Sequence, residues 1–233
     1  MSDLVTYTVD NGVASVTLDD GKANVLSFAM IEQINAALDT AEADKASVVL
    51  TGREGMFSGG FDLNVMNEGP EAALKLTSEG SKLARRIMAH PKPVIMLSTG
   101  HTIAMGAFLA LACDYRMIAE GEYKIGFNET LIGMSMHNFG IELARHRLPK
   151  AYFNRCVINA EIFNPTGALR AGFFDRIVPQ EQMKMAGPMA GQMFSQLNMT
   201  AFKNTKLRAR KDVFKLLDQA IEDDLDLDKI YAT

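Results

Sequence analysis

Apolar and polar residues alternate at positions 4–9 and again at 13–18, with Asp10-Asn11-Gly12 between them. A period of two turns one face of each segment to a core, and Asn-Gly supports a tight turn, so the pattern predicts a β-hairpin. The period then changes. Phe28, Ile31, Ile34, Leu38 and Ala41 recur at helical spacing behind Ser27, a residue type that caps helix starts. Residues 47–51 read as a buried strand and 52–60 as a glycine-rich loop. Pro70 suits the first turn of a helix reaching about residue 90. Pro91 and Pro93 end that helix and lead into a strand at 94–97. Short strands are expected at 115–119 and 123–125, a helix at 138–148 closed by Pro149, and another at 165–172. A strand at 174–178 and a helix from about Glu181 follow. Alternating strands and helices predict an α/β fold with crossover connections. After about Gln196 the chain is charged and helical without strand signals. This divides it into a core, 1–195, and a helical C-terminal region, 196–233.

Two stretches break this rhythm in the same way. Residues 48–50 lead into Met-Phe-Ser-Gly-Gly-Phe-Asp-Leu at 56–63, and residues 94–97 lead into Gly-His-Thr-Ile-Ala-Met-Gly-Ala at 100–107. Each is a strand, a glycine-bearing turn and the start of a helix. The first N–H groups of a helix have no partner inside it, and the helix dipole adds partial positive charge there. Two such junctions side by side have the geometry to hold one developing negative oxygen, as in an oxyanion hole.

Composition narrows the class. The 233 residues are 48% hydrophobic and 22% charged, which fits a globular protein with a sizeable core. A net charge of -4 argues against a dedicated nucleic-acid surface. One basic cluster exists, Lys203, Lys206, Arg208, Arg210, Lys211 and Lys215, and a solvated helix face is its favoured reading ahead of nucleic acid or an anionic ligand. Cys113 and Cys156 form no disulfide framework, and Cys113 in its apolar run reads as a small buried hydrophobe. The start of the chain shows no basic segment followed by an apolar one, and the apolar run 103–113 is too short to span a bilayer. A cytoplasmic setting with no membrane contact is the expectation.

These motifs resemble the crotonase (enoyl-CoA hydratase/isomerase) family along nearly the whole chain. Residues 57–63 are similar to the family's first oxyanion loop, and 100–114 to its second. Residues 166–179, Thr-Gly-Ala-Leu-Arg-Ala-Gly-Phe-Phe-Asp-Arg-Ile-Val-Pro, are similar to its late signature. Ala-Leu-Ala-Cys-Asp-Tyr-Arg at 110–116 and Ile-Gly-Phe-Asn-Glu-Thr at 125–130 resemble the mitochondrial-type branch that isomerises 3-enoyl-CoA to 2-enoyl-CoA. The resemblance implies a spiral of repeated ββα units with a C-terminal helical region, and a homotrimer or dimer of trimers. It implies an acyl-CoA thioester substrate, coenzyme A arriving as part of that substrate, and no metal or other cofactor.

Carried over position by position, the resemblance gives Glu129 as the proton-moving carboxylate and the amides of Phe61 and Met105 as the oxyanion donors. Gly59, Gly60, Asp62 and Leu63 fall in the substrate-binding loop. Lys22 and Ala23 fall in the segment near the CoA adenine and phosphates, although a plain turn before a helix also explains them. The family often has glycines where this chain has Ala104 and Met105. Hydratases of the family place a second glutamate three residues after the oxyanion position. That position is Phe108, expected against the substrate, which cannot hold or activate water and so favours isomerisation. Hydration, another CoA-thioester reaction, or non-catalytic acyl-CoA binding are the rivals.

Other polar residues carry plainer readings. Glu120 and Glu122 sit in a turn and are expected to be solvated. His101 reads as a polar loop residue, and His137 as a residue near a helix start that does not line the site. Ser58 lies outside any Gly-x-Ser-x-Gly elbow. Gly52 and Gly55 lack the spacing of a dinucleotide loop. The 15 methionines suit core gaps or an adaptable acyl pocket.

Overall fold

The computed structural model describes residues 3–226. Strands β1 (Val5–Asp10) and β2 (Val13–Leu18) form the expected antiparallel hairpin. Helix α1 (Phe28–Ala43) follows, with the Ser27 hydroxyl accepting from the Met30 amide at 3.2 Å. From there the chain repeats a unit of two strands and a helix. The first turn is β3 (Ser47–Gly52), β4 (Gly55–Ser58), short α2 (Leu63–Met66) and α3 (Pro70–Ala89). The second is β5 (Val94–Ser98), β6 (Gly100–Ile103) and α4 (Met105–Ala112). The third is β7 (Tyr115–Ala119), β8 (Ile125–Gly126), a 3-10 turn (Thr130–Ile132) and α5 (Asn138–Arg147). The first strand of each unit joins a six-stranded sheet, β1-β2-β3-β5-β7-β9, and the second joins a parallel three-stranded sheet, β4-β6-β8. Strand β9 is Arg176–Val178. The ββα spiral is therefore present.

Helices α6 (Lys150–Val157) and α7 (Pro165–Ala171) precede β9, and α8 (Met183–Ser195), α9 (Met199–Ala209) and α10 (Lys211–Asp223) complete the chain. Strands buried on both faces read as unbroken apolar runs. In β3, Val48 and Leu50 face the main core, while Val49 faces a second cluster with Val13, Ile95, Leu97 and Met117. Ala190 of α8 belongs to that cluster, so α8 covers the sheet's second face.

Several boundaries differ from the sequence reading, each for a physical reason. The expected loop at 52–60 contains β4, whose four residues, Gly-Met-Phe-Ser, are too few to show an apolar period. Gly100 is a close-approach point, not loop punctuation, because a Cβ there would lie 2.0 Å from the Gly55 carbonyl carbon. The expected strand at 123–125 is the two-residue β8, and that at 174–178 begins at Arg176. Helix α6 has no counterpart in the sequence reading. Pro149 ends α5 but also starts α6, its carbonyl accepting from the Tyr152 amide at 2.9 Å.

The basic cluster at 203–215 is only partly a solvated face. Lys206 is buried, and its ammonium donates to Asp114 Oδ2 at 2.7 Å and to the His90 carbonyl at 3.0 Å. Burial holds this lysine below the usual ammonium range. Arg210 reaches Asp114 Oδ1 at 2.9 Å. These cations tie the C-terminal helices to the spiral. Residues 227–233 of the expected C-terminal region lie outside the described residues.

Asn24 staples the turn before α1 to the first junction. It is fully buried, donates to the carbonyls of Leu18 (2.9 Å) and Phe57 (3.1 Å), and accepts from the Asp20 amide at 2.9 Å. Replacing Asn24 with Ala leaves these buried groups unpaired. We expect a loss of about 2–3 kcal/mol in a urea titration, and a loss under about 0.5 kcal/mol would show that water replaces the amide.

Candidate active site

The two junctions predicted from sequence meet. Strands β4 and β6 pair in parallel with Ser58 opposite Thr102, so Phe61 and Met105 each stand three residues beyond partners in register. Gly60, at φ +99, lies against the second junction. A Cβ on Gly60 would fall 2.7 Å from the Ala104 Cβ and 3.4 Å from the Met105 nitrogen. Only glycine permits both the backbone angle and the approach. The first junction is pinned from behind, since the Leu26 amide donates to the Gly60 carbonyl at 2.8 Å and the Gly59 amide to the Ala23 carbonyl at 2.8 Å. Ser58 is buried, with its hydroxyl donating to the Asn24 carbonyl, a structural role. Among the described residues, no main-chain carbonyl outside regular helices and strands accepts from the Phe61 or Met105 amide.

A cavity of ≈ 60 Å³ opens beside this meeting point, and Gly59, Phe61, Leu63, Ala104, Asn128 and Glu129 contribute to its lining. Glu129 comes from the segment after β8. Its main chain is fixed by the Met134 amide, which donates to the Glu129 carbonyl at 2.9 Å. The side chain is 8% exposed, and its Oε2 has no hydrogen-bond partner. Burial pushes this carboxyl from 4.5 up to about 7, while the amides of Glu129 and Asn128 pull the other way without offsetting it. A buried carboxyl with one unpartnered oxygen and a raised pKa can exchange a proton near neutral pH.

The remaining sequence-predicted residues divide. Leu63 is 55% exposed at the rim. Asp62 turns its carboxylate to the Asn64 amide at 2.9 Å, capping α2. Ala23 backs Gly59, and Lys22 is exposed outside the cavity, with its carbonyl held by the Arg53 guanidinium. Phe108 corrects its expectation. Its ring is fully buried and stacks on Phe127, centroids 4.1 Å apart, and does not line the cavity. Met105 is also buried, its side chain directed at Gly80 of α3, so it does not narrow the cavity. No residue from 196 to 226 lines the cavity; α10 packs on α3 and α5 instead.

His101 accepts from the Lys124 amide at 2.9 Å, and His137 lies edge-on to Phe108 outside the cavity. Cys113 is buried, and burial pushes its thiol up to about 12. Sequence reasoning missed Asn128, whose buried Oδ1 is unpartnered beside Glu129, and the apolar wall of Met66, Ile132 and Met134. The wall residues come from two segments distant in sequence, so no local pattern joins them. A larger groove of ≈ 450 Å³ lies by α9, but the charged groups on its floor, Asp114, Lys206 and Arg210, are already paired with one another. Among the described residues, no helix is long and apolar enough to cross a membrane.

Comparison with known proteins identifies the family. The model of the family described as enoyl-CoA hydratase/isomerase matches residues 8–231. A solved structure of an enoyl-CoA hydratase/isomerase family protein from Pseudomonas syringae superposes with a TM-score of 0.94 at 49% identity, covering 99% of both chains. Over 177 residues the chain is 29% identical to the mitochondrial enoyl-CoA delta isomerase 1 of Mus musculus, a match covering 74% of this chain and 61% of the mouse protein. Over 134 residues it is 33% identical to a probable enoyl-CoA hydratase of Bacillus subtilis, covering 56% and 52%. The chain thus spans less than two thirds of the length of these two relatives. With its spiral of ββα units, its paired strand–helix junctions and this match over nearly its full length, the chain belongs to the enoyl-CoA hydratase/isomerase family.

Proposed function

We propose that this enzyme shifts the double bond of a 3-enoyl-CoA to give the 2-enoyl-CoA, through a thioester enolate held by two main-chain amides. Glu129 takes a proton from C2. The C–H electrons move into the conjugated system and charge gathers on the thioester oxygen. The C3–C4 double bond becomes C2–C3 as C4 receives the proton back from Glu129. The amides of Phe61 and Met105 face the oxygen, where they favour the charged enolate over the neutral ground state. Helix α4 adds its dipole at the same point. The substrate brings its own coenzyme A, and no metal or further cofactor enters these steps.

One observation carries the choice of isomerisation. Among the described residues lining the cavity, Glu129 is the only ionisable side chain. A single carboxylate suffices to move one proton between two carbons on one face. Hydration asks for a second group to hold and activate water, and sequence position 108, where the resemblance puts that glutamate in hydratases, is a phenylalanine buried outside the cavity. The cavity is far smaller than the ~300–1,000 Å³ of a complete ligand site, so it suits the reacting end of the substrate. The exposed apolar rim of Leu63 and Ile132 suits the acyl chain beyond it.

The test is to supply 3-enoyl-CoA and 2-enoyl-CoA separately and follow each product. Rapid appearance of 2-enoyl-CoA from the first, with little 3-hydroxyacyl-CoA from the second, supports isomerisation. The opposite pattern selects the hydratase, and binding without turnover of either selects an acyl-CoA-binding protein. A pH profile gives a further expected result. Glu129 must be ionised to accept the proton, so kcat/KM should rise with pH through a midpoint near the free-enzyme value of about 7. Below that midpoint it should fall about tenfold per pH unit. A profile flat from pH 5 to 8 removes Glu129 as the base.

A further inference from the structure

Ala104 stands at the joint between the two junctions and adopts a conformation alanine resists. Its φ is 50° and its ψ is −123°. The left-handed half of backbone space is open to glycine at no steric cost, whereas an alanine held there is strained. The surroundings enforce it. The Ala104 amide donates to the Gly126 carbonyl at 2.9 Å, and its carbonyl accepts from the Ala107 amide at 2.9 Å and the Phe108 amide at 3.2 Å. Asn11, Asn24, Lys45 and Ala160 also have positive φ, but only Ala104 among these lines the cavity with Glu129.

The methyl group explains why the strain is kept. It faces the bare Cα of Gly60, where an added Cβ would come within 2.7 Å of it. Gly60 precedes the Phe61 amide by one residue, and Ala104 precedes the Met105 amide by one residue. The methyl therefore packs against the residue that precedes Phe61 and belongs to the residue that precedes Met105. The backbone angles of Ala104 also fix the plane of the peptide that ends in the Met105 N–H, and a return to ordinary negative φ would rotate that plane.

We propose that Ala104 is a positioning residue, its methyl group the spacer between the Phe61 and Met105 amides and its left-handed backbone the device that aims the Met105 N–H. This rests on the enolate reading above.

The test compares Ala104→Gly with Ala104→Ser, using 3-enoyl-CoA turnover, thermal melting, and the carbonyl stretch of a bound 2-enoyl-CoA carrying a labelled thioester carbon. In wild type, two aimed amides shift the carbonyl stretch to lower frequency than in free thioester. Ala104→Gly releases strain, so its melting temperature should stay level or rise. Its kcat should nevertheless fall about tenfold, a fraction of the 10²–10³ that loss of a whole donor costs. KM should stay within a factor of about two, since binding contacts along the chain are intact. The carbonyl shift should move toward the free value. Ala104→Ser keeps a Cβ and should recover both kcat and the shift. A glycine variant with wild-type kcat and an unchanged carbonyl shift overturns the spacer role, and one that melts well below wild type overturns the strain. Absence of both turnover and carbonyl shift in wild type overturns the enolate reading and this inference together.

Discussion

Glu129→Gln should lower kcat for double-bond migration by about 10²–10⁴-fold, the range that a positioned acid–base group supplies. The amide keeps the size of the carboxyl and its place in the cavity, so KM should change little. The same substitution should stabilise the fold at alkaline pH. The carboxyl titrates at about 7 in the folded protein against 4.5 in an exposed state. Below pH 4.5 both states carry the proton, and the stability tied to it is fully present. As pH rises through 7 the folded protein must hold a desolvated charge, and that stability is lost. At 1.36 kcal/mol per pKa unit the loss is about 3 kcal/mol. Glutamine has no such loss, so the variant should gain on wild type between pH 4.5 and 8 in parallel denaturant titrations. Equal pH dependence of the two proteins, or undiminished turnover, would sink the role given to Glu129.

Asp114→Ala should be the most damaging substitution for stability, at about 3–5 kcal/mol. The side chain is 8% exposed and meets Lys206, itself 4% exposed, and Arg210, 14% exposed. One carboxylate oxygen also accepts from the Val94 amide at 2.9 Å, at the head of β5. Removing it leaves two cations and a strand amide without their acceptor. The ammonium of Lys206 keeps only the His90 carbonyl. Lys206→Met should cost clearly less, because Arg210 still answers the charge of Asp114. Equal losses for the two variants in calorimetry would mean that the cluster acts by packing alone.

The periodic segments were legible in the sequence. The hairpin and α1 carry apolar repeats, α3 carries proline signals at both ends, and the three motif stretches together indicate the spiral. What escaped were elements whose signal is not local. Strands β4 and β6 lie in glycine-bearing segments, and their pairing is decided by the second sheet, which no window of the chain displays. Helix α6 was masked because Pro149 served two helices at once. At the site, Glu129 stood out by its Asn-Glu-Thr context, and the two glycine junctions stood out by their shared strand–turn–helix form. Phe108 was placed wrongly because spacing along α4 says which residue occupies a position, not which way the ring turns in a helix buried on all sides. The inward path of Lys206 was equally hidden, since a lysine that completes a buried pair has the same letter as one in water.

The register of β4 against β6 has one more consequence. Hydrogen-bonded strands run about 4.8 Å apart. The chain leaves the sheet at Gly60 and Ala104, both at positive φ, so the pairing anchors the base of the proposed grip and these two turns set its final width. Sequence change at the turns can therefore retune the grip, whereas moving its base would unzip the strands beneath it.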